Sequence, residues 1–295
     1  VCSLAPLLIV ETTNADASFI AQSLNFNDRY PFHDAGLDGT GQVAQVSDSG
    51  VNRDSCYFDD NNLVPIRGLK DSFYVDNNQR KIVQYLYNDY NGFNNGDGAD
   101  ANGHGTHVAG SVAGNFGNSA ANGQAYNGKL AVFDMEGNSR YLSVPDGFAA
   151  TGSRANMLEK GRLAGARFHS ASWGANSGGG GVVDNRARNF DKYMKAHDDY
   201  LLIIAAGNSG SASQTILTPA TTKNGITVGM HYGTTDTVSG QSNLEDTLRY
   251  TSSRGPTADK RIKPDIVANG YSVLSANSAS SCDTRGSSGT SMATP

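Results

Sequence analysis

Tyr200-Leu-Leu-Ile-Ile-Ala-Ala206 runs directly into Gly207-Asn-Ser-Gly210. An aliphatic run of that length is too short for an ordinary core helix. Stopped by a turn cluster, it reads as a strand buried on both faces. Similar segments surround it. Gln42–Asp48, Lys129–Met135, Ala166–Ser172 and Gly225–Met230 are short and largely apolar. Helical stretches alternate with them. His104 to Val112 offers good helix formers, and Asp146–Leu163 reads as a helix weakened by Gly152. In Val182–Asp198, the residues Val183, Ala187, Phe190, Met194 and His197 recur at helical spacing and give that helix one core face. Strands alternating with helices predict an α/β fold, a mostly parallel twisted sheet flanked by helices on both faces.

The 295 residues suffice for one large domain, and 38% hydrophobic content can fill its core. A net charge of -5 argues against nucleic acid or an anionic membrane as a principal partner. With a mean hydropathy of -0.42, no apolar run approaches the roughly 18 residues of a membrane-spanning helix. Cys2, Cys56 and Cys282 form no C-x-x-C pair, so no zinc ribbon or thioredoxin-type site is offered. One disulfide can form; in an oxidising compartment Cys56 with Cys282 is the preferred pair, set against free buried thiols.

Residues 1–35 read as a lead-in, an apolar segment followed by a polar stretch, and 36–295 as one domain without an internal linker. Leu4–Val10 lacks the basic flank and cleavage site of a signal peptide, and the expectation is that Val1 lies inside a longer precursor. Residues 88–103 hold three Asn-Gly pairs and read as an exposed loop.

In an open α/β sheet, chemistry collects beyond the carboxyl ends of the strands. Asp48, His104, Asn208 and Ser291 fall at strand ends or helix starts. Each alone has an ordinary structural explanation: a turn residue, a histidine opening a helix, a turn cap, a residue near a helix N-terminus. Their contexts are more specific. Val46-Ser-Asp-Ser-Gly50, Gly103-His-Gly-Thr-His-Val-Ala-Gly110 and Gly289-Thr-Ser-Met-Ala-Thr-Pro295 resemble, in order, the Asp, His and Ser boxes of the subtilisin-like serine peptidases. Ser170-Ala-Ser-Trp-Gly174, Ala205-Ala-Gly-Asn-Ser-Gly210, Ser252-Ser-Arg-Gly-Pro256 and Lys263-Pro-Asp-Ile-Val-Ala268 extend the resemblance over Gly36 to Pro295. Two positions depart from the pattern: Ser47 replaces an aliphatic residue, and Asn269 replaces the proline before Gly270.

The resemblance implies an endopeptidase working through an acyl-enzyme. A serine hydroxyl needs a base to take its proton. His104 would take it from Ser291 and return it to the leaving amine. Asp48 would fix the imidazole tautomer and stabilise the imidazolium. The Asn208 amide and the Ser291 N–H would meet the oxyanion. Ser172, Trp173 and Gly174 with Ala205, Ala206 and Gly207 would wall the first substrate pocket. These segments and Gly178–Gly181 carry no acidic residue, so broad or apolar preference before the scissile bond is expected. An esterase of the α/β-hydrolase type would need G-x-S-x-G and the order Ser, acid, His, which this chain lacks. A catalytically inactive subtilisin-like binding scaffold and an inactive peptidase fragment are the two readings that compete with an active endopeptidase.

His107 lies three residues after His104, but no glutamate accompanies the pair as in a zinc-protease motif, and the family position is structural. Catalysis calls for no cofactor. The resemblance allows structural calcium, for which Asp89, Asp97 and Asp100 in the Asn- and Gly-rich loop are candidates, although their spacing fits no EF-hand. Expected partners are protein or peptide substrates and the chain's own propeptide; the expected location is secreted or within the secretory pathway. Ser291 stands four residues before Pro295, so the fold is expected to be incomplete at its C-terminus.

Overall fold

Strand β6 (Leu201–Ala205) forms from the aliphatic run and sits within an eight-stranded sheet. In this computed structural model the described residues are 14–23, 30–71, 73–89, 99–117, 119–136, 142–145, 156–176, 178–233, 247–279 and 281–295. The other strands of the sheet are β1 (Val43–Asp48), β2 (Ile66–Gly68), β3 (Ile82–Tyr87), β4 (Lys129–Asp134), β5 (Ala166–Ala171), β7 (Ile226–His231) and β8 (Ile266–Asn269). Their order is β2-β3-β4-β1-β5-β6-β7-β8, and every pairing is parallel. The sheet is thus the parallel one expected from the alternation. A separate antiparallel hairpin joins β9 (Val273–Ala276) to β10 (Thr284–Ser287).

Helices cover both faces. On one side α3 (His104–Ala113) packs on β1 and β9, and the short α6 (Thr290–Ala293) packs on β7 and β8. On the other, α4 (Met157–Leu163) lies against β1, β4 and β5, and α5 (Asn185–Ala196) against β6. Each side has its own apolar core. One gathers Phe133, Met157, Phe190 and Leu202; the other gathers Val46, Val108, Val112 and Met292.

α5 starts where the Asp184 side chain accepts the Arg186 and Ala187 N–H groups, three residues inside the predicted span. α4 starts at Met157, where Asn156 Oδ1 accepts Glu159 N–H at 3.0 Å. Residues 146–155 of the longer predicted helix lie outside the described residues. Among the described residues two helices precede the sheet: α1 (Asn14–Gln22) and α2 (Pro31–Asp34). α1 packs on β8 and β9, with Ala17 inside the core, so part of the lead-in segment lies against the sheet.

Ser47 explains its own departure from the family pattern. Its Oγ is fully buried between Trp173 Nε1, which donates to it at 2.9 Å, and His169 Nε2 at 2.6 Å. With the indole N–H on that oxygen, the Ser47 hydroxyl still has its own proton and a second lone pair, and the imidazole tautomer sets which of the two serves His169. An aliphatic residue there would leave both rings without their partner. Burial pulls the His169 imidazole down to about 3, so it is neutral at physiological pH.

The loop read as wholly exposed is corrected at its two ends. Asn88 is buried and donates to Ser143 O and Oγ, while Asp100 is buried with its carboxylate fully engaged. Their polar groups find internal partners, which residue type alone could not reveal. Cys56 and Cys282 form a disulfide, with Cα atoms 4.9 Å apart and a sequence separation of 226. Cys2 lies outside the described residues.

Candidate active site

Asp48 closes β1 and is 1% exposed, while His104 opens α3 immediately opposite. Their approach is close because Gly105 lacks a side chain: a Cβ there would lie 3.1 Å from Asp48 Cβ and would collide with Gly50 O. His104 Nδ1 donates to Asp48 Oδ1 at 2.7 Å. An ionised carboxylate only accepts, so the proton sits on Nδ1 and the Nε2 lone pair is free to act as a base. The Asp48 charge holds the His104 pKa above the ordinary imidazole range, against the opposing effect of burial. Ser49 N–H also donates to Asp48 Oδ1, at 2.8 Å.

Ser291 lies in the first turn of α6, 8% exposed. Its Oγ donates to Ser172 O at 3.0 Å, and Ser172 Oγ donates back to Ser291 O at 2.9 Å. This reciprocal pair ties the start of α6 to the segment after β5. Among the described residues no hydrogen bond joins Ser291 Oγ to His104 Nε2. Nucleophile–base contacts are commonly looser before substrate binds.

Asn208 follows β6 and is exposed. Its Oδ1 accepts from Thr290 N–H at 2.9 Å and from Thr290 Oγ1 at 3.1 Å. With the oxygen committed, the two Nδ2 hydrogens are the ones left to meet a ligand. A Cβ on Gly289 would lie 3.3 Å from Asn208 Nδ2 and 3.7 Å from Ser291 N, which places the side-chain amide and the Ser291 N–H around one small space. Thr290 escaped the residue-level reading, although it stands inside the quoted Ser box. Its signal is the adjacent hydroxyl.

The two predicted walls come together through Leu217. Its N–H donates to Ala206 O, and its side chain fills the space that Cβ atoms on Gly174 or Gly207 would need. Trp173 differs from the other wall residues. Its indole is buried against Phe190, with ring centroids 6.1 Å apart, so the ring belongs to the core and is not a pocket wall. His107 Nε2 donates to Val273 O at 2.9 Å and Arg285 O at 3.1 Å, tying α3 to the β9–β10 hairpin.

Of the calcium candidates, Asp100 accepts Gly103 N–H, Thr106 N–H and Ser49 Oγ–H, a donor set that leaves it poorly suited to a cation. Asp89 faces Lys70, and Asp97 lies outside the described residues. Among the described residues no group of three or more His, Cys, Asp or Glu is placed to hold a metal ion.

The model of the subtilase family matches residues 39–295, which include every residue of this site. A serine protease/ABC transporter B family protein of Dictyostelium discoideum, tagD, is 30% identical over 91% of this chain and 18% of its own length. Serine protease AprX of Bacillus subtilis is 41% identical over 32% of the chain and 23% of its own length. The chain therefore spans less than a fifth of the Dictyostelium relative and under a quarter of AprX. Among solved structures, the CspB protease of Clostridium perfringens superposes with a TM-score of 0.70 at 16% identity, covering 95% of this chain and 84% of that one. A psychrophilic protease, S41, gives 0.62 at 24% identity, covering 88% and 74%. These likenesses are of fold.

Proposed function

The chain belongs to the subtilase family, and from that premise we propose that it is a serine endopeptidase whose triad is Asp48, His104 and Ser291. The observation that carries the reading is the 2.7 Å bond from His104 Nδ1 to the buried Asp48 carboxylate, which frees Nε2 as a base at the edge where Ser291 and Asn208 also lie. Ser291 Oγ would attack the carbonyl carbon of the scissile bond as His104 takes its proton. The Asn208 amide and Ser291 N–H would stabilise the oxyanion, and His104 would return the proton to the leaving amine. Water would then release the acyl group by the same route. The groove segments carry no acidic side chain, which supports a broad or apolar preference before the scissile bond. The Cys56–Cys282 bridge supports an oxidising, extracytoplasmic location. No described helix is long and apolar enough to cross a membrane.

The test is labelling with a fluorophosphonate probe. Covalent modification should occur at Ser291 and vanish in Ser291→Ala, with turnover falling by about 10⁶, the scale found on removing the subtilisin nucleophile. A folded protein that neither labels nor cleaves peptides would overturn the reading in favour of an inactive binding scaffold or an inactive fragment.

A further inference from the structure

The first turn of α3 exposes N–H groups that its own N-cap cannot satisfy, because the cap is Gly103 and has no side chain. Two side chains from elsewhere replace it. Ser49 Oγ accepts Gly105 N–H at 3.0 Å, and Asp100 Oδ2 accepts Thr106 N–H at 2.7 Å. Asp100 Oδ1 also accepts Gly103 N–H at 2.7 Å, so this carboxylate is locked against the turn that carries His104.

The Ser49 hydroxyl has one proton and two carboxylates in reach. Asp100 Oδ1 lies 3.0 Å from Ser49 Oγ, and Asp48 Oδ1 lies 3.3 Å away. All three groups are buried. With Asp100 ionised, the shorter contact takes the proton, and Asp48 Oδ1 keeps only the His104 and Ser49 N–H donors. With Asp100 neutral, the hydroxyl turns to Asp48 and draws off charge that would otherwise support the imidazolium.

We propose that Asp100 is a positioning residue for the Asp48–His104 pair, acting through the Ser49 hydroxyl as a one-proton switch between two carboxylates. The proposal rests on His104 being the catalytic base. It assigns Asp100 two tasks: fixing the helix turn that aims the imidazole, and keeping Asp48 electron-rich. Other charged and titratable groups face these three. Arg285 on β10 donates from Nη2 to Gly103 O and opposes protonation of His104, and His107 lies one turn along α3. Asp134 on β4, bonded to the Tyr85 hydroxyl of β3, interacts electrostatically with Asp100. Burial and the Asp48 charge raise the Asp100 pKa, which brings its switch nearer to the range where His104 titrates.

Asp100→Asn and Asp100→Ser both keep an oxygen for the turn and delete the charge. In each, the acid limb of the kcat/KM profile should move down by about one pH unit. The plateau kcat should fall as well. In a Ser49→Ala background the same substitution should move the limb by less than half as much. A folded Asp100 variant with lower stability but an unmoved limb would overturn the proposal, and an equal shift with and without Ser49 would overturn the relay. Nitrogen-edited NMR of the unsubstituted protein covers the case in which the variants do not fold. On acidification the His104 Nδ1 proton should move in two steps, the lower one as Asp100 is protonated, and a single step would count against the switch. Loss of the imidazole limb altogether from the unsubstituted enzyme would instead remove His104 as the base.

Discussion

Asn208 is held by its oxygen, so Asn208→Ala deletes the Nδ2 donor together with the acceptor of Thr290 N–H and Oγ1–H. Asn208→Ala should lower kcat by about 10²–10³ with little change in KM, because the donor acts chiefly on charge that develops in the transition state. Steady-state kinetics on a peptide ester check this; an effect confined to KM would place the amide in ground-state binding. As the proposed base, His104 would set the pH dependence. The Asp48 charge raises its pKa, and the neutral imidazole would be the active form. Activity should therefore disappear on acidification through an inflection above the ordinary imidazole value. The same raised pKa has the opposite sign for folding: its contribution is present below the unfolded value and is lost as pH rises through the folded one.

At the scale of elements, α3 is tied down by its two histidines in addition to its apolar face. His107 joins the helix to the β9–β10 hairpin, and burial pulls its pKa down to about 4. The unfolded chain binds that proton more readily, so the neutral side chain favours folding above an imidazole value of 6.5. That contribution drains away as pH falls from there toward about 4. Urea titrations at pH 7 and 5 should show a smaller loss of stability in His107→Gln than in the unsubstituted protein. Beneath β1 the Ser47 hydroxyl serves two rings at once. Ser47→Val should cost about 2–4 kcal/mol, since it strands two buried polar groups. Trp173 is the single tryptophan, so its fluorescence should report the disturbance directly.

Across the whole molecule, one covalent link joins the segment after β1 to the β9–β10 hairpin. Cys56 and Cys282 are 226 residues apart, and Asn52 Nδ2 donates to Ser278 O beside them. Closing so long a loop restricts the unfolded chain, and the chain-entropy estimate is about 5 kcal/mol. Urea unfolding with and without reductant should differ by that order, and coincident curves would show that the bridge contributes little. The hairpin carries Arg285 and contacts α3, so reduction should also lower activity before global unfolding.

Local pattern alone determined the strands β1, β4, β5, β6 and β7 and the helices α3 and α5. A buried parallel strand is a contiguous apolar run, and a one-faced helix repeats every three to four residues, so both periods are written in the chain. The Asp, His and Ser boxes located Asp48, His104 and Ser291 because each box is contiguous in sequence. The short α1 and the cap at Asn156 left no such periodic trace. Tertiary structure alone decided that Ser47 answers to His169 and Trp173, that the Trp173 indole turns into the core, and that Asp100 is a buried partner of the His104 turn rather than a loop surface. Those facts depend on which polar atoms the fold brings within three ångströms of one another. A buried hydroxyl or carboxylate takes its meaning from the donor opposite it, and here that donor belongs to another part of the chain.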